Sequence, residues 1–540
     1  MLHFIPAWYQ QNNWCENEQY WYAKRTRSEF DDTVKHIQLF HRSKVHPFQI
    51  MLLSYAPNFR HFLHRQSVFR VSYWSCFDAI QEVKRKKVRM FSLHNLNWPK
   101  HIEFVYTPFA MVALLQGKKY AQVEFGEDGN PIQVDIYQEG KLTRRNIYDD
   151  RGFVSSSVVY DAQGPLYQDY LTDKGIWKIR QYIRDGHVEV NPRSNTYLLE
   201  YEGEESVRTF SQETYVNMSQ VIEEVLTAYL SLLDEEDLFC AAMHELHTDI
   251  LKQTLGDRKL ILSFFGDRYD ISKHSEDVEM IQNAAYIITD SEANFGKIQK
   301  GTRSSIKNMA SITPFDSRVD FGISQQLNVQ KIMVPVDGLE EERFGQLVQT
   351  LGVYLQQNEN ARVHLFTRQA SYNRRGFLLE KTRTYLRLAG MEEGWAVEEK
   401  ETGVMENRID TEDTIPVKFI VEQCVDELAV SKCMREQRIV VDLRKQTEIY
   451  LRIAGISVGI PQIIYTESEF VKDGENGFVL QEIQALPGVL EYYLESLNNW
   501  NEAMVHAYEI GKKYMTNVLI EKWKEVIDFV GDDSGSTVGK

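Results

Sequence analysis

The sequence predicts an α/β chain of two units, each alternating strands with helices, the first interrupted by an inserted antiparallel β-meander. Three observations carry this reading. Short apolar runs alternate with amphipathic stretches in the N-terminal segment and again beyond about Tyr201. From Gly117 onward, regular short strands are separated by the turn pairs Asp128-Gly129, Glu139-Gly140, Gln163-Gly164 and Asp185-Gly186. With 540 residues, the chain also exceeds what one hydrophobic core spans.

The first unit opens with strands at Leu2–Ala7, Phe48–Tyr55 and Lys87–Leu93, with helical patterns at Asp31–Phe40 and Phe77–Val83 between them. The meander follows as Tyr120–Phe125, Pro131–Tyr137, Arg145–Tyr148, Gly152–Tyr160, Leu166–Leu171, Trp177–Ile183 and Val188–Val190. A helical period returns over Tyr215–Leu233 and a second such stretch covers Glu236–Leu255. Strand Lys259–Gly266, helix Glu276–Ala285, strand Tyr286–Asp290 and helix Glu292–Lys307 then complete the first unit.

The second unit reads strand Lys331–Val336, helix Glu341–Gln357, strand Arg362–Thr367, helix Phe377–Ala389, strands Lys418–Val421 and Arg438–Asp442, helix Ile449–Val458 and strand Gln462–Tyr465. Such alternation predicts a parallel sheet with its ligand crevice at the carboxyl ends of the strands. Helices close the chain at Pro487–Leu497, Asn501–Tyr514 and Val518–Val530. The expected division is 1–116 with 206–325, an insert at 117–205, a second unit at 326–498, helices over 499–530 and a loose tail at 531–540.

The composition, 43% hydrophobic and 12% aromatic, suits packed cores. Net charge is −17, yet residues 1–116 hold 15 Lys/Arg against 8 Asp/Glu, so this segment is near +7 and the remainder near −24. An acidic body argues against nucleic acid as a partner. No apolar run of membrane-spanning length and no signal-peptide pattern occurs, so a cytoplasmic location is expected. The five cysteines are scattered without a CxxC pair, which points to buried reduced thiols rather than disulfides or a zinc ribbon.

Met243-His244-Glu245-Leu246-His247 lacks the i, i+4 histidine spacing of a metalloprotease helix, since Thr248 stands where the second ligand belongs, and reads as a surface pair. No glycine precedes Gly117, so the first unit has no phosphate-cradling loop; such loops need backbone N–H groups unobstructed by a Cβ. In the second unit Arg368, Arg374 and Arg375 follow a strand at its carboxyl end, where they are candidate cleft contacts, although solvated arginines are the simpler reading. Lys84, Arg85, Lys86 and Lys87, with Arg89 behind, form a basic cluster: either a solvated helix end or a surface for anionic lipid.

Gly459-Ile460-Pro461-Gln462 and Asp473-Gly474-Glu475-Asn476-Gly477-Phe478 resemble the pattern that closes the donor-binding half of retaining GT-B glycosyltransferases. The meander, with Tyr148-Asp149-Asp150-Arg151-Gly152-Phe153 and Gln168-Asp169-Tyr170-Leu171, is similar to the β-sheet insert of the transferase that places N-acetylglucosamine on serine-rich-repeat adhesins. Over nearly its whole length, including Ile312–Arg318 and Gly322–Gln326, the chain resembles the first of the accessory secretory proteins of the accessory Sec system.

That resemblance implies a GT-B-like pair of Rossmann-type domains. It also implies a cytoplasmic, non-catalytic accessory protein that acts in export of a glycosylated adhesin, with the two other accessory secretory proteins and a dedicated SecA-type motor as partners and no cofactor. The enzymes of the fold use two glutamates eight positions apart, the second seven residues before the GxP proline; here these positions are Gln446 and Ala454. An amide lacks the carboxylate's charge, and alanine offers no bond. Where those enzymes place cations for the donor diphosphate, this sequence has an acidic stretch containing Asp337, Glu341 and Glu342. A carboxylate ~4 Å from a phosphate repels it by about 4 kcal/mol at an effective dielectric of 20. The alternative is an active GT-B transferase with an atypical donor site built on Arg368 and Arg375.

Overall fold

A computed structural model describes residues 1–10, 13–15, 30–89, 91–256, 258–303, 306–397 and 416–532. The chain opens with β1 (Leu2–Ile5), α1 (Asp32–Ser43), β2 (Phe48–Leu52), α2 (Phe59–Arg65), β3 (Tyr73–Ser75) and α3 (Cys76–Ile80). The Asp31 carboxylate caps α1 by accepting from the Val34 amide at 3.2 Å, and Ser75 caps α3 in the same way.

The meander comprises β4 (Ile102–Tyr106), β5 (Ala110–Leu115), β6 (Lys118–Phe125), β7 (Pro131–Gln138), β8 (Lys141–Asp149), β9 (Phe153–Asp161), β10 (Gly164–Leu171), β11 (Trp177–Tyr182) and β12 (Val188–Val190). Then come the hairpin β13 (Thr196–Tyr201) and β14 (Glu204–Thr209), and the short β15 (Thr214–Tyr215). The first unit resumes with α4 (Met218–Leu230), β16 (Leu238–Ala242), α5 (Glu245–Leu255), β17 (Lys259–Phe264), α6 (Val278–Asn283), β18 (Tyr286–Thr289), α7 (Glu292–Thr302) and β19 (Met309–Ser311).

The second unit holds β20 (Gln330–Pro335), α8 (Glu341–Gln357), β21 (Ala361–Thr367), α9 (Arg374–Leu388), β22 (Phe419–Gln423), α10 (Glu427–Glu436), β23 (Ile439–Asp442), α11 (Ile449–Val458), β24 (Gln462–Ile464) and β25 (Gly477–Val479). The helices α12 (Leu486–Leu494), α13 (Leu497–Gly511) and α14 (Thr516–Asp532) follow.

The first half is a parallel sheet in the order β19-β18-β17-β16-β1-β2-β3, with β1 central and bonded to β2 on one side and β16 on the other. The second half is a parallel sheet in the order β22-β21-β20-β23-β24-β25. Between β3 and β16 the chain forms the ten-stranded antiparallel sheet β15-β12-β11-β10-β9-β8-β7-β6-β5-β4.

Four sequence expectations are corrected. Glu236–Leu255 is not one helix: Leu238–Ala242 is a strand buried along its whole length and only the remainder is helical. A strand covered on both faces reads as a continuous apolar run, which periodicity does not separate from a buried helix. Lys87–Leu93 forms no strand among its described residues; its cations keep it at the surface, where the Arg89 amide bonds the Arg151 carbonyl at 3.1 Å. The antiparallel sheet begins before Gly117, because Gln116 and Gly117, both at positive φ, are the hairpin turn joining β5 to β6. It also extends past residue 206, to β15. Of the expected tail, 533–540 lies outside the described residues, and Gly531 and Asp532 end α14.

The meander is keyed to the first half by polar contacts in an otherwise apolar seam. The buried Gln81 amide donates to the Ser155 and Leu171 carbonyls at 2.7 and 2.6 Å. Arg151 makes paired bonds to Asp78 at 2.8 Å and binds Asp149 as well. At the far end α14 crosses back to the first half, where Trp523, fully buried, packs edge-on against Phe4, Phe40 and His36.

Candidate functional site at the junction of the two halves

The carboxyl ends of both parallel sheets face one another, and titratable groups from each half gather there. In the second half Asp337, just past β20, accepts from the Thr367 hydroxyl at 2.7 Å and from the Arg368 amide at 2.7 Å, and pairs with the Arg374 guanidinium at 2.9 Å. Behind it Asp442, at the end of β23, is fully buried between Arg444 at 2.8 Å and Arg452 at 3.1 Å. Burial alone would raise its pKa, but the two guanidiniums hold it below the ordinary carboxylate value. Glu448, at the N-terminus of α11, pairs with Arg368 and Arg444.

The first half contributes Asp31 and Asp32 at the start of α1, bridged by Arg268, which reaches Asp32 at 2.6 Å and Asp31 at 3.3 Å. Burial and the Asp32 charge push Asp31 up to about 7; Asp32 itself is held low, its burial overridden by Arg268 and the Ser263 hydroxyl. An open cavity of about 640 Å³ lies alongside, lined by Gly266, Tyr269, Asn294, Lys297 and, from the second half, Gln446.

Aromatic and aliphatic side chains close much of the space between the halves. Phe30 packs edge-on against Tyr450 at 4.8 Å and lies under the Arg368 guanidinium, 3.6 Å from its ring centroid. Phe315 stands 5.2 Å from the same tyrosine, and Ile453, Ile456 and Phe470 complete the cluster. Ion pairs also cross between the halves: Lys35 to Glu427 at 2.5 Å links α1 to α10, and Asp320 pairs with Arg435 at 3.5 Å.

The fold and the junction just described have counterparts among known proteins. The family model of the first accessory Sec system protein, accessory secretory protein 1, matches residues 1–529. The chain belongs to this family. A Streptococcus gordonii member is 31% identical, with 98% of this chain and 100% of the relative covered. The solved structure of accessory secretory proteins 1, 2 and 3 of Streptococcus pneumoniae matches with a TM-score of 0.78 at 26% identity, covering 99% of this chain and 100% of that one. The pneumococcal O-GlcNAc transferase GtfA, in complex with UDP and GlcNAc, has a TM-score of 0.68 at 10% identity, covering 98% and 99%. The fold is therefore GT-B-like, and the accessory Sec system is the family's setting.

The residues singled out in the sequence are not one constellation. Asp337, Arg368 and Arg374 come together, but they bond to one another. Arg368 and Arg374 are partly buried and paired, whereas Arg375 is exposed and donates to the Val421 carbonyl at 3.2 Å. Glu341 pairs with Lys381 at 2.5 Å and accepts from the Tyr385 hydroxyl, while Glu342 accepts from Gln346. Gln446 is exposed at the cavity mouth; Ala454 packs inside the junction with Phe30 and Val458.

The glycine-containing stretch that leads into β25 has structural work of its own. A Cβ on Gly477 would meet the Gln462 carbonyl oxygen at 1.9 Å, and the buried Asn476 side chain ties Lys472 to Phe470. His244 caps α5 and His247 is buried rather than on the surface, bonded to the Ala242 carbonyl at 2.8 Å and the Tyr9 hydroxyl at 2.7 Å. In the basic cluster, Lys84 pairs with Glu205 at 2.7 Å, Lys86 pairs with Glu200, and Arg85 turns in to the Gly152 carbonyl. Lys87 and Arg89 are exposed. Among the described residues no helix is long and apolar enough to cross a membrane.

Sequence reasoning missed Phe30, Glu448 and the Asp31–Asp32–Arg268 bridge. The paired aspartates before an amphipathic run were readable as a helix cap. Their partner, brought from more than two hundred positions away, left no local signal.

Proposed function

We propose that the chain is a non-catalytic accessory protein that assembles with the other two accessory secretory proteins and serves export of a glycosylated serine-rich-repeat adhesin, in concert with a SecA-type motor. The observation that carries the reading is where the charges at the junction go. Arg368 and Arg374, the cations best placed for a donor phosphate, are committed to Glu448 and Asp337. The positions corresponding to the paired glutamates are an exposed amide, Gln446, and an alanine packed beside Phe30. Stabilising a departing nucleotide needs preorganised charge aimed at the ligand, and here that charge is spent within the protein. Assembly is supported by the solved complex of the pneumococcal relatives.

Two measurements test this. Calorimetry against UDP- and GDP-sugars is expected to give no binding heat at micromolar protein; micromolar affinity with sugar transfer to an adhesin peptide would establish the transferase alternative instead. Co-expression with the other two accessory secretory proteins is expected to yield one co-eluting complex, and separate elution of all three would refute the scaffold.

A further inference from the structure

The end of β22 and the helix α10 bring together a donor set to which the export function assigns no role. Glu422 lies near the end of β22, Cys424 just past it and Cys433 on α10. One ligand atom from each, the carboxylate oxygen and the two Sγ atoms, lies within 4.8 Å of the others. A tetrahedral centre with Zn–S near 2.3 Å sets its ligand atoms about 3.5–3.8 Å apart, so small side-chain rotations close this group onto an ion.

The surroundings match such a centre. Cys424 is buried and Cys433 half-buried. His364, 2% exposed on the neighbouring β21, has Nδ1 3.0 Å from the Glu422 carboxylate. The Gln437 amide also directs an N–H at the Cys433 Sγ from 3.6 Å. Lys331 and Arg375 add positive potential at Glu422, which offsets the anionic excess of two thiolates and a carboxylate around one divalent ion.

We propose that Glu422, Cys424 and Cys433 form a binding site for a thiophilic divalent cation, Zn²⁺ by its ligand chemistry, with His364 as the adjoining imidazole. Two sulfurs with a carboxylate suit zinc, whereas calcium and magnesium take oxygen shells. Binding displaces a proton from each thiol and so strengthens as pH rises. The bound ion fastens β22 to α10, the helix whose Glu427 reaches Lys35 of the other half. The spacing is Glu-x-Cys followed nine residues later by Cys, which explains why no paired-cysteine motif announces the site.

The test uses the full-length reduced protein and Co²⁺ as the spectroscopic probe. One equivalent of Co²⁺ is expected to give an intense sulfur-to-metal charge-transfer band in the near ultraviolet with visible d–d bands of tetrahedral form, and Zn²⁺ to bleach both. Cys424→Ser with Cys433→Ser is expected to abolish the band, and Glu422→Gln to weaken affinity at least about tenfold. Because those variants can fold poorly, thiol alkylation of the unaltered protein is mapped by mass spectrometry in parallel: Zn²⁺ is expected to protect Cys424 and Cys433. No charge-transfer band with both thiols reduced, a band that survives in the double variant, or equal alkylation with and without Zn²⁺ overturns the proposal.

Discussion

The guanidinium of Arg368 sits 3.6 Å from the centroid of the Phe30 ring, so a cation from the second half is stacked on an aromatic from the first. A desolvated contact of this kind contributes roughly 1–2 kcal/mol. In a double-mutant cycle of Phe30→Leu and Arg368→Met, a coupling of about that size is expected in the urea-unfolding free energy. Strict additivity of the two single changes would remove Arg368 from the cohesion of the halves.

Gly152 is the second point of leverage. It sits at φ +89°, and a Cβ there would meet the Arg89 carbonyl oxygen at 2.1 Å. Gly152→Ala therefore strains the backbone and pushes the 85–89 segment off the meander, at an expected cost of about 2–3 kcal/mol. Thermal unfolding should show this loss, and limited proteolysis should cut first near residues 85–91. An alanine variant with unchanged stability and cleavage pattern contradicts the account.

Trp523 is expected to be the residue on which attachment of α14 depends. It is fully buried among Phe4, Phe40 and His36, and truncation of such an aromatic costs about 3–5 kcal/mol. Trp523→Ala should raise hydrogen exchange along both α14 and α1. Exchange confined to α14 would mean the first half holds together without it.

The pH dependence has a definite sign. Burial depresses His36 to about 4 against the pull of Asp32, with Arg268 adding to the depression. His247 falls to about 3, from burial, its neighbour His244 and Arg268. Both folded values lie below the unfolded value of about 6.5, so the unfolded chain takes the proton first. Their stabilising effect is complete above pH ~6.5 and is lost as pH falls toward 4, by about 3 kcal/mol for His36 alone. Asp31, raised to about 7, acts in the opposite sense throughout that range, gaining stability as pH falls, so the net slope of the parent is the difference of the two effects. Comparison with His36→Phe isolates the histidine: the variant should lose less stability than the parent between pH 7 and 4.5, and parallel curves would refute the assignment.

Much of the architecture was legible because its elements have distinct periods. The meander's strands appear from Tyr120 onward as alternation broken by Gly turns, and helices such as Glu341–Gln357 show their apolar stripe directly. Leu238–Ala242 was misread because burial on both faces erases alternation. The junction was far less legible. Its decisive contacts, Phe30 on Arg368, Arg268 on Asp32 and Arg151 on Asp78, join residues whose neighbours in sequence say nothing of their partners in space. Sequence placed Arg368 and Arg374 near a crevice, but only the fold shows that Glu448 and Asp337 already hold them.

The central position of β1 bears on how the chain is made. β1 pairs on one side with β2, which follows closely, and on the other with β16, whose approach brings Asp237 to the Met1 ammonium across 236 positions. At ribosomal rates of roughly 5–20 residues per second, some 10–50 s separate synthesis of β1 from that of its second neighbour. Throughout that interval β1 to β3 exist as a nascent fragment with an unpaired apolar edge, while the meander emerges and can fold as a local, hairpin-connected sheet. The parallel sheet is therefore completed only after the insert has been made, and until β16 arrives one edge of β1 has no partner strand.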